Sequence, residues 1–343
     1  MAAPDRNAID GLGTPAAAVA DPASSHAVDP AALTVPGAAQ PLAAGRRLRA
    51  PQWALLLLRN PKSCFGIVTI SAMVIVALLA PVIAQNSPSD IVALPGQPPN
   101  RHFWFGTTDQ GYDVFSQVVW GARTSLAVGA AAAVISTAIA ATLGMLAAYA
   151  GGWVDDVINL VTNIFIVIPA LPLLIVVYSF VPSRGPGAMV VILGLTTWAV
   201  EARILRGQAL SLVNRDFIQA AKVSGEGTWR IVFGEIMPNM VSRIAAGFLL
   251  VFYLSIIFAA GLEFLGFGDL NKVTWGTTLY WAQNNSTVLQ GAWWHFVFPG
   301  VALATAVAAL VFINYGVDEI ANPRLRRPAR QRRFGRRRTV EAG

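Results

Sequence analysis

Charge, cysteine and histidine are all scarce in this 343-residue sequence, and each scarcity excludes something. Only 13% of residues are charged, against about 25% in a soluble domain. With 55% hydrophobic residues and a mean hydropathy of +0.55, the chain is composed for a bilayer. The one cysteine, Cys64, can build neither an internal disulfide nor a cysteine-based zinc site. His26, His102 and His295 are scattered without metal-ligand spacing, so no metal site is expected. No G-x-x-x-x-G-K-[ST] run is present, so the chain has no phosphate-binding loop and no cofactor of its own is expected. An intramembrane enzyme needs a nucleophile and a base on facing spans. His295 is the only histidine near an apolar run, and no serine motif points to it, so no catalytic residue is assigned. A stand-alone secondary transporter usually carries midplane charges or paired interrupted helices. Only the run containing Pro169 and Pro172 approaches that pattern.

What is present is a series of apolar runs between polar ends. Residues 1–50 are rich in Ala, Pro, Gly and Asp and read as a disordered tail that cannot bury enough surface to order itself. The first long apolar run begins only near Phe65, which does not fit a signal peptide. Across 51–323, run length predicts six transmembrane helices at about 65–84, 124–150, 157–181, 188–206, 243–266 and 295–317. The second run is Ala-rich, which lets neighbouring backbones approach closely. Pro169 and Pro172 should kink the third or end its regular part, shaping either a pathway or a packing bend. Residues 324–343 form a basic tail with nine arginines from Arg324 to Arg338. With both termini inside, 21 of the 25 Lys and Arg lie on cytoplasmic segments, so the charge rule gives an N-in, C-in, all-α membrane protein. That placement assigns the net charge of +7 to the membrane flank and its lipids rather than to nucleic acid. Glu263 lies near the outer end of the fifth span, where an ionisable residue either faces a pathway or snorkels to the interface. Trp275, Trp281, Trp293 and Trp294 mark the last external loop, as an aromatic belt or a contact surface.

One cytoplasmic segment, 207–240, stays polar yet periodic. Asp216 followed by Gln219 resembles a capping box that starts a helix. Phe217, Ala220, Ala221 and Ser224 then fall on one helical face. Gly225 allows a turn, and Trp229, Val232, Phe233 and Ile236 repeat the same spacing until Pro238 closes the segment. Two short amphipathic helices meeting at a glycine corner fit either a groove in another protein or the lipid surface.

These residues also carry a resemblance. Gln219-Ala220-Ala221, Gly225 and Ile236-Met237-Pro238 resemble the EAA loop of ABC-importer permeases, with Gln219 where the pattern has Glu and Glu235 opening the close. "FGTTDQGYDVFSQVVWGARTSL" (105–126), "LRGQALSLVNRDFIQAAKVSG" (205–225) and "GLEFLGFG" (261–268) resemble further segments of the C-type permease of the dipeptide/oligopeptide/nickel branch. Glu263 stands where that branch would be expected to have a small polar residue. The resemblance covers about residues 53–325 and implies the type I importer permease architecture. It further implies a homologous second permease, two cytoplasmic ATPase subunits holding ATP and Mg, and an extracytoplasmic substrate-binding protein. Asp216, Phe217, Gln219, Ala220, Ala221, Gly225 and Pro238 would couple the chain to the ATPases. Pro169, Pro172 and Glu263 are the pathway candidates. Peptides, oligosaccharides and nickel chelates are the cargo classes implied, and the cell membrane the location.

Overall fold

The computed structural model describes residues 60–182 and 184–321; the two predicted tails, 1–50 and 324–343, lie outside them. Among the described residues there is no strand, only an isolated bridge between Thr107 and Asp113. Helix α1 (Pro61–Leu78) starts with Pro61 in its first turn and the Asn60 side chain accepting from the Lys62 amide at 3.0 Å. After the short α2 (Ala80–Ile83) comes α3 (Val114–Ala150), and then α4 (Gly152–Val167) and α5 (Ala170–Ser179). The chain continues through α6 (Pro186–Thr196), α7 (Ala199–Val213) and α8 (Asp216–Val223). A single long helix, α9 (Thr228–Phe264), is followed by α10 (Trp275–Asn284) and α11 (Trp294–Ala321).

The six predicted runs appear as four unbroken helices, α1, α3, α9 and α11, and two bent pairs. The α4–α5 pair turns by 94° and the α6–α7 pair by 41°. The sharper bend has a local cause. Ile168, preceding a proline, is extended (φ −72°, ψ 125°), and Pro169 caps α5 without an amide hydrogen. Pro172 sits in the first turn of α5, where a missing donor breaks no helical bond. Both prolines are exposed.

Helix α3 begins ten residues before the predicted second span. Asp113 stops the preceding loop by accepting from the amides of Phe115 and Ser116 at 3.2 and 3.3 Å. It is the axis of the bundle, packing along α7, α9 and α6, while α11 packs on α1 and α9. Its small residues set these distances. A Cβ on Gly144 would lie 2.6 Å from the Ala202 carbonyl oxygen of α7. A Cβ on Gly129 would lie 2.5 Å from Ile256 Cγ1 of α9. Polar pairs reinforce the contacts made by α7. Arg243 donates to the fully buried Glu201 at 3.2 Å, and Arg206 grips both Asp155 oxygens at 2.6 and 2.5 Å.

Candidate functional site

Two places stand out, at opposite ends of α3. Its 37 residues rise roughly 55 Å at about 1.5 Å each, so the two places do not touch.

At the Ala150 end, α8 is hooked beneath the bundle. Ile218 is fully buried with Ile231, Val232 and Ile236, against Met145 of α3 and Val213 of α7. Lys222 places its ammonium 4.9 Å from the Tyr149 ring centroid, a cation–π contact with the last turn of α3. Gly225 ends α8 at φ +77°. The Gly225 amide bonds the Lys222 carbonyl and the Glu226 amide bonds the Ala221 carbonyl, the paired pattern of a Schellman turn. A Cβ at Gly225 would meet nothing within 4 Å, so the corner is open to a partner.

The site residues fall as follows. Asp216 is the first residue of α8 and is exposed; the helix has no side-chain cap. The predicted capping box therefore does not form. Gln219 instead donates its amide to the Val213 carbonyl at 3.0 Å, tying α8 back to the end of α7. The reason is local: Asp216 is already helical, so a capping oxygen would have to come from Arg215, whose side chain carries none. Phe217 and Ala220 are exposed and Ala221 is half-buried.

Two further readings of this segment are corrected. Trp229, Val232, Phe233 and Ile236 do not share a face: Trp229 and Phe233 stack outside at 5.7 Å, whereas Val232 and Ile236 are fully buried. Nor does Pro238 close the segment, because α9 runs straight through it. Both differences have one cause. Residues Ile231–Ile236 form a π-helical turn whose wider i→i+5 bonding shifts side-chain angles and absorbs the proline's missing donor. Four large apolar residues, Phe217, Val223, Trp229 and Phe233, are exposed around the Gly225 corner, among exposed Asp216, Lys222 and Arg230. Val223 is 89% exposed.

At the Val114 end lies a cavity of about 430 Å³, formed by the loop before α3, the first turn of α3, the residues leading into α10, and α11. Asp109, Gln117, Lys272, Trp281 and His295 are among its lining residues. Asn285 donates to one oxygen of Asp109. The other oxygen of Asp109 is 3.6 Å from His295 Nδ1, too far for a hydrogen bond. Burial raises the Asp109 pKa above the ordinary carboxylate value, while the Asn285 bond pulls it down. Gln117 gives its amide to the Pro88 carbonyl at 3.3 Å, which fixes its oxygen as the free end.

Glu263 lies inside the chain, 8% exposed, rather than on an open face. It accepts from Thr274 Oγ1 at 2.6 Å, beside the capping box that starts α10. Among the tryptophans of the last loop, Trp275 and Trp294 are buried and bond the carbonyls of Val118 and Thr107. Trp275 therefore holds the last loop to α3 and Trp294 holds it to the segment before α3, instead of forming a belt. Sequence reasoning did not bring Asp109, Gln117 and His295 together, since no spacing links positions 109, 117 and 295. The Ile218 anchor was also missed, because Ile218 follows an equally apolar Phe217 and only the fold buries the one and exposes the other.

Comparison with known proteins agrees with the helical architecture. Residues 140–327 match the family described as binding-protein-dependent transport system inner membrane component. A putative peptide permease protein of Brucella suis biovar 1 (strain 1330) is 33% identical over 270 residues, covering 78% of this chain and 88% of the relative. The dipeptide transport system permease protein DppC of Alkalihalophilus pseudofirmus is 30% identical over 276 residues, 79% and 88% of the two chains. DppC of Bacillus subtilis (strain 168) is 32% identical over 275 residues, 79% and 84%. The chain thus belongs to the family of binding-protein-dependent transport system inner membrane components: it is a multi-pass permease subunit of an ABC importer in the bacterial inner membrane, and not an enzyme.

Proposed function

We propose that this chain forms one half of a translocation pathway for peptides and is driven through the corner at Gly225. The second half is a homologous permease. Two cytoplasmic ATPase subunits, carrying ATP and Mg, receive α8 and the turn after it, and an extracytoplasmic binding protein delivers the cargo. Peptide is the favoured cargo because the relatives above are named peptide and dipeptide permeases. The observation that carries the coupling role is the combination at the Ala150 end. An open rim carrying exposed Phe217, Val223, Trp229 and Phe233 beside charged residues surrounds Gly225, and it is backed by Ile218 in the core cluster of α3 and α7. A push on that rim passes into packed helices rather than into a flexible loop, as a rigid-body switch requires. Gln219 ties the helix back to α7, Asp216, Phe217, Ala220 and Ala221 offer the contact, and Pro238 stands where the hook becomes a span. Pro169 and Pro172, at the 94° bend, are the pathway candidates with the most open surroundings.

The test is Gly225→Asp in the assembled importer. The side chain meets no neighbour in the permease, but it places charge and bulk on the rim and a left-handed φ on a non-glycine residue. Stimulation of ATPase activity by the loaded binding protein should be lost while the permease still inserts. Unchanged stimulation and uptake would remove the coupling role from this corner.

A further inference from the structure

We infer that the cavity at the Val114 end of α3 is a receptor for a primary ammonium group, held by Asp109 and Gln117. Hydrogen-bond supply points to such a guest. Asp109 Oδ1, Gln117 Oε1 and His295 Nδ1 are all buried side-chain atoms with no hydrogen-bond partner among the described residues, and all three residues line this one cavity. Two of these atoms can only accept, and the third accepts when His295 carries its hydrogen on Nε2. Buried acceptors without donors are costly, and a cluster of them calls for a donor-rich guest. An ammonium group has three donors and the charge that a carboxylate selects.

The rest of the wall agrees with such a guest. Asp109 is the only carboxylate among the described lining residues, and its side chain keeps 18% of its surface open. Rotation about its terminal bond presents either oxygen, since Asn285 holds only one at a time. Trp281 and Tyr112 supply aromatic surface, which attracts cations. The one opposing charge in that lining, Lys272, is exposed at the rim, where water and salt screen it. A cavity of about 430 Å³ exceeds the roughly 30 Å³ share of a single water, so a group attached to a larger body fits. Two sources carry this chemistry: the amino terminus of a peptide cargo, and a lysine side chain of the binding protein on which this transporter family depends.

The experiment measures binding without nucleotide, so it is independent of the coupling role at Gly225. Saturation-transfer NMR is recorded on the assembled importer in nanodiscs, without binding protein, against four probes. These are trialanine, N-acetyl-trialanine, Nα-acetyl-lysine amide and its Nε-acetylated form. At least one free amine should bind and its acetylated partner should not. Trialanine binding assigns the site to cargo, and lysine-amide binding assigns it to the binding protein. Asp109→Asn should weaken the bound amine by about ten- to hundredfold, the range for losing one charged hydrogen bond. Gln117→Leu should weaken it less, and it tests the same site if the Asp109 variant does not assemble. An ammonium receptor is ruled out if neither amine binds, if acetylation makes no difference, or if the variants keep the affinity of the parent.

Discussion

Replacing Gln219 by Glu turns the central oddity of the loop into a measurement. Glu is the residue that the EAA pattern carries, and it matches Gln in length. In this chain, however, Gln219 donates to the Val213 carbonyl at 3.0 Å, and Val213 is buried at the end of α7. An ionised Glu cannot donate, so a net hydrogen bond of about 0.5–1.5 kcal/mol is lost. The new charge regains something from the dipole of α8, about 0.3–1 kcal/mol when it lies in the first turn. Position 219 is the fourth residue of α8, so the gain sits at the low end. Local stability should fall by about 1 kcal/mol, and the α8 segment should open about fivefold more often. Hydrogen exchange of the 216–224 amides in the assembled importer reads this directly. Gln219→Met removes the donor without adding charge and should lose at least as much protection. Equal or greater protection in the Glu variant would show that the Val213 contact does not hold α8 and would refute the anchoring role of Gln219.

Two more predictions concern packing and charge. Gly144→Ala forces a methyl against the Ala202 carbonyl of α7, an overpacking that costs about 1–3 kcal/mol; the unfolding midpoint in detergent should drop, and an unchanged midpoint would mean that α3 and α7 are not in close contact. Asp109→Asn tests the outer cavity without ligand. Because the folded pKa of Asp109 is raised, chiefly by burial, its contribution to stability is full when protonated and is lost as pH rises through that value. The neutral Asn should therefore raise the midpoint near neutral pH and make no difference in acid, below the ordinary carboxylate range; a lower midpoint at neutral pH would contradict this sign.

Local pattern carried much of this protein. Run length and low charge are sums over neighbouring residues, and they marked the apolar segments whether or not a segment was straight. Pro169 announced the break in α4–α5 because proline acts on its own backbone and the residue before it. Gly225 announced the corner because only a few residues accept its φ of +77°. The size of the bend, 94°, was given only by the structure.

Longer-range facts needed the fold. A fixed helical period put Trp229 and Val232 on one face, and the π turn at 231–236 separated them. That turn forms where a helix must continue through Pro238 while Ile231, Val232 and Ile236 stay in the core. Gln219 looked like a capping residue until its partner proved to be Val213, on a different helix. The meeting of Asp109, Gln117 and His295 is a product of how α3, α10 and α11 converge. Composition and periodicity thus determined that this chain lives in a membrane and that a short polar, periodic segment ends at the Gly225 corner. Which side chains face which was decided only by tertiary packing, because contact between residues far apart in sequence leaves no period to read.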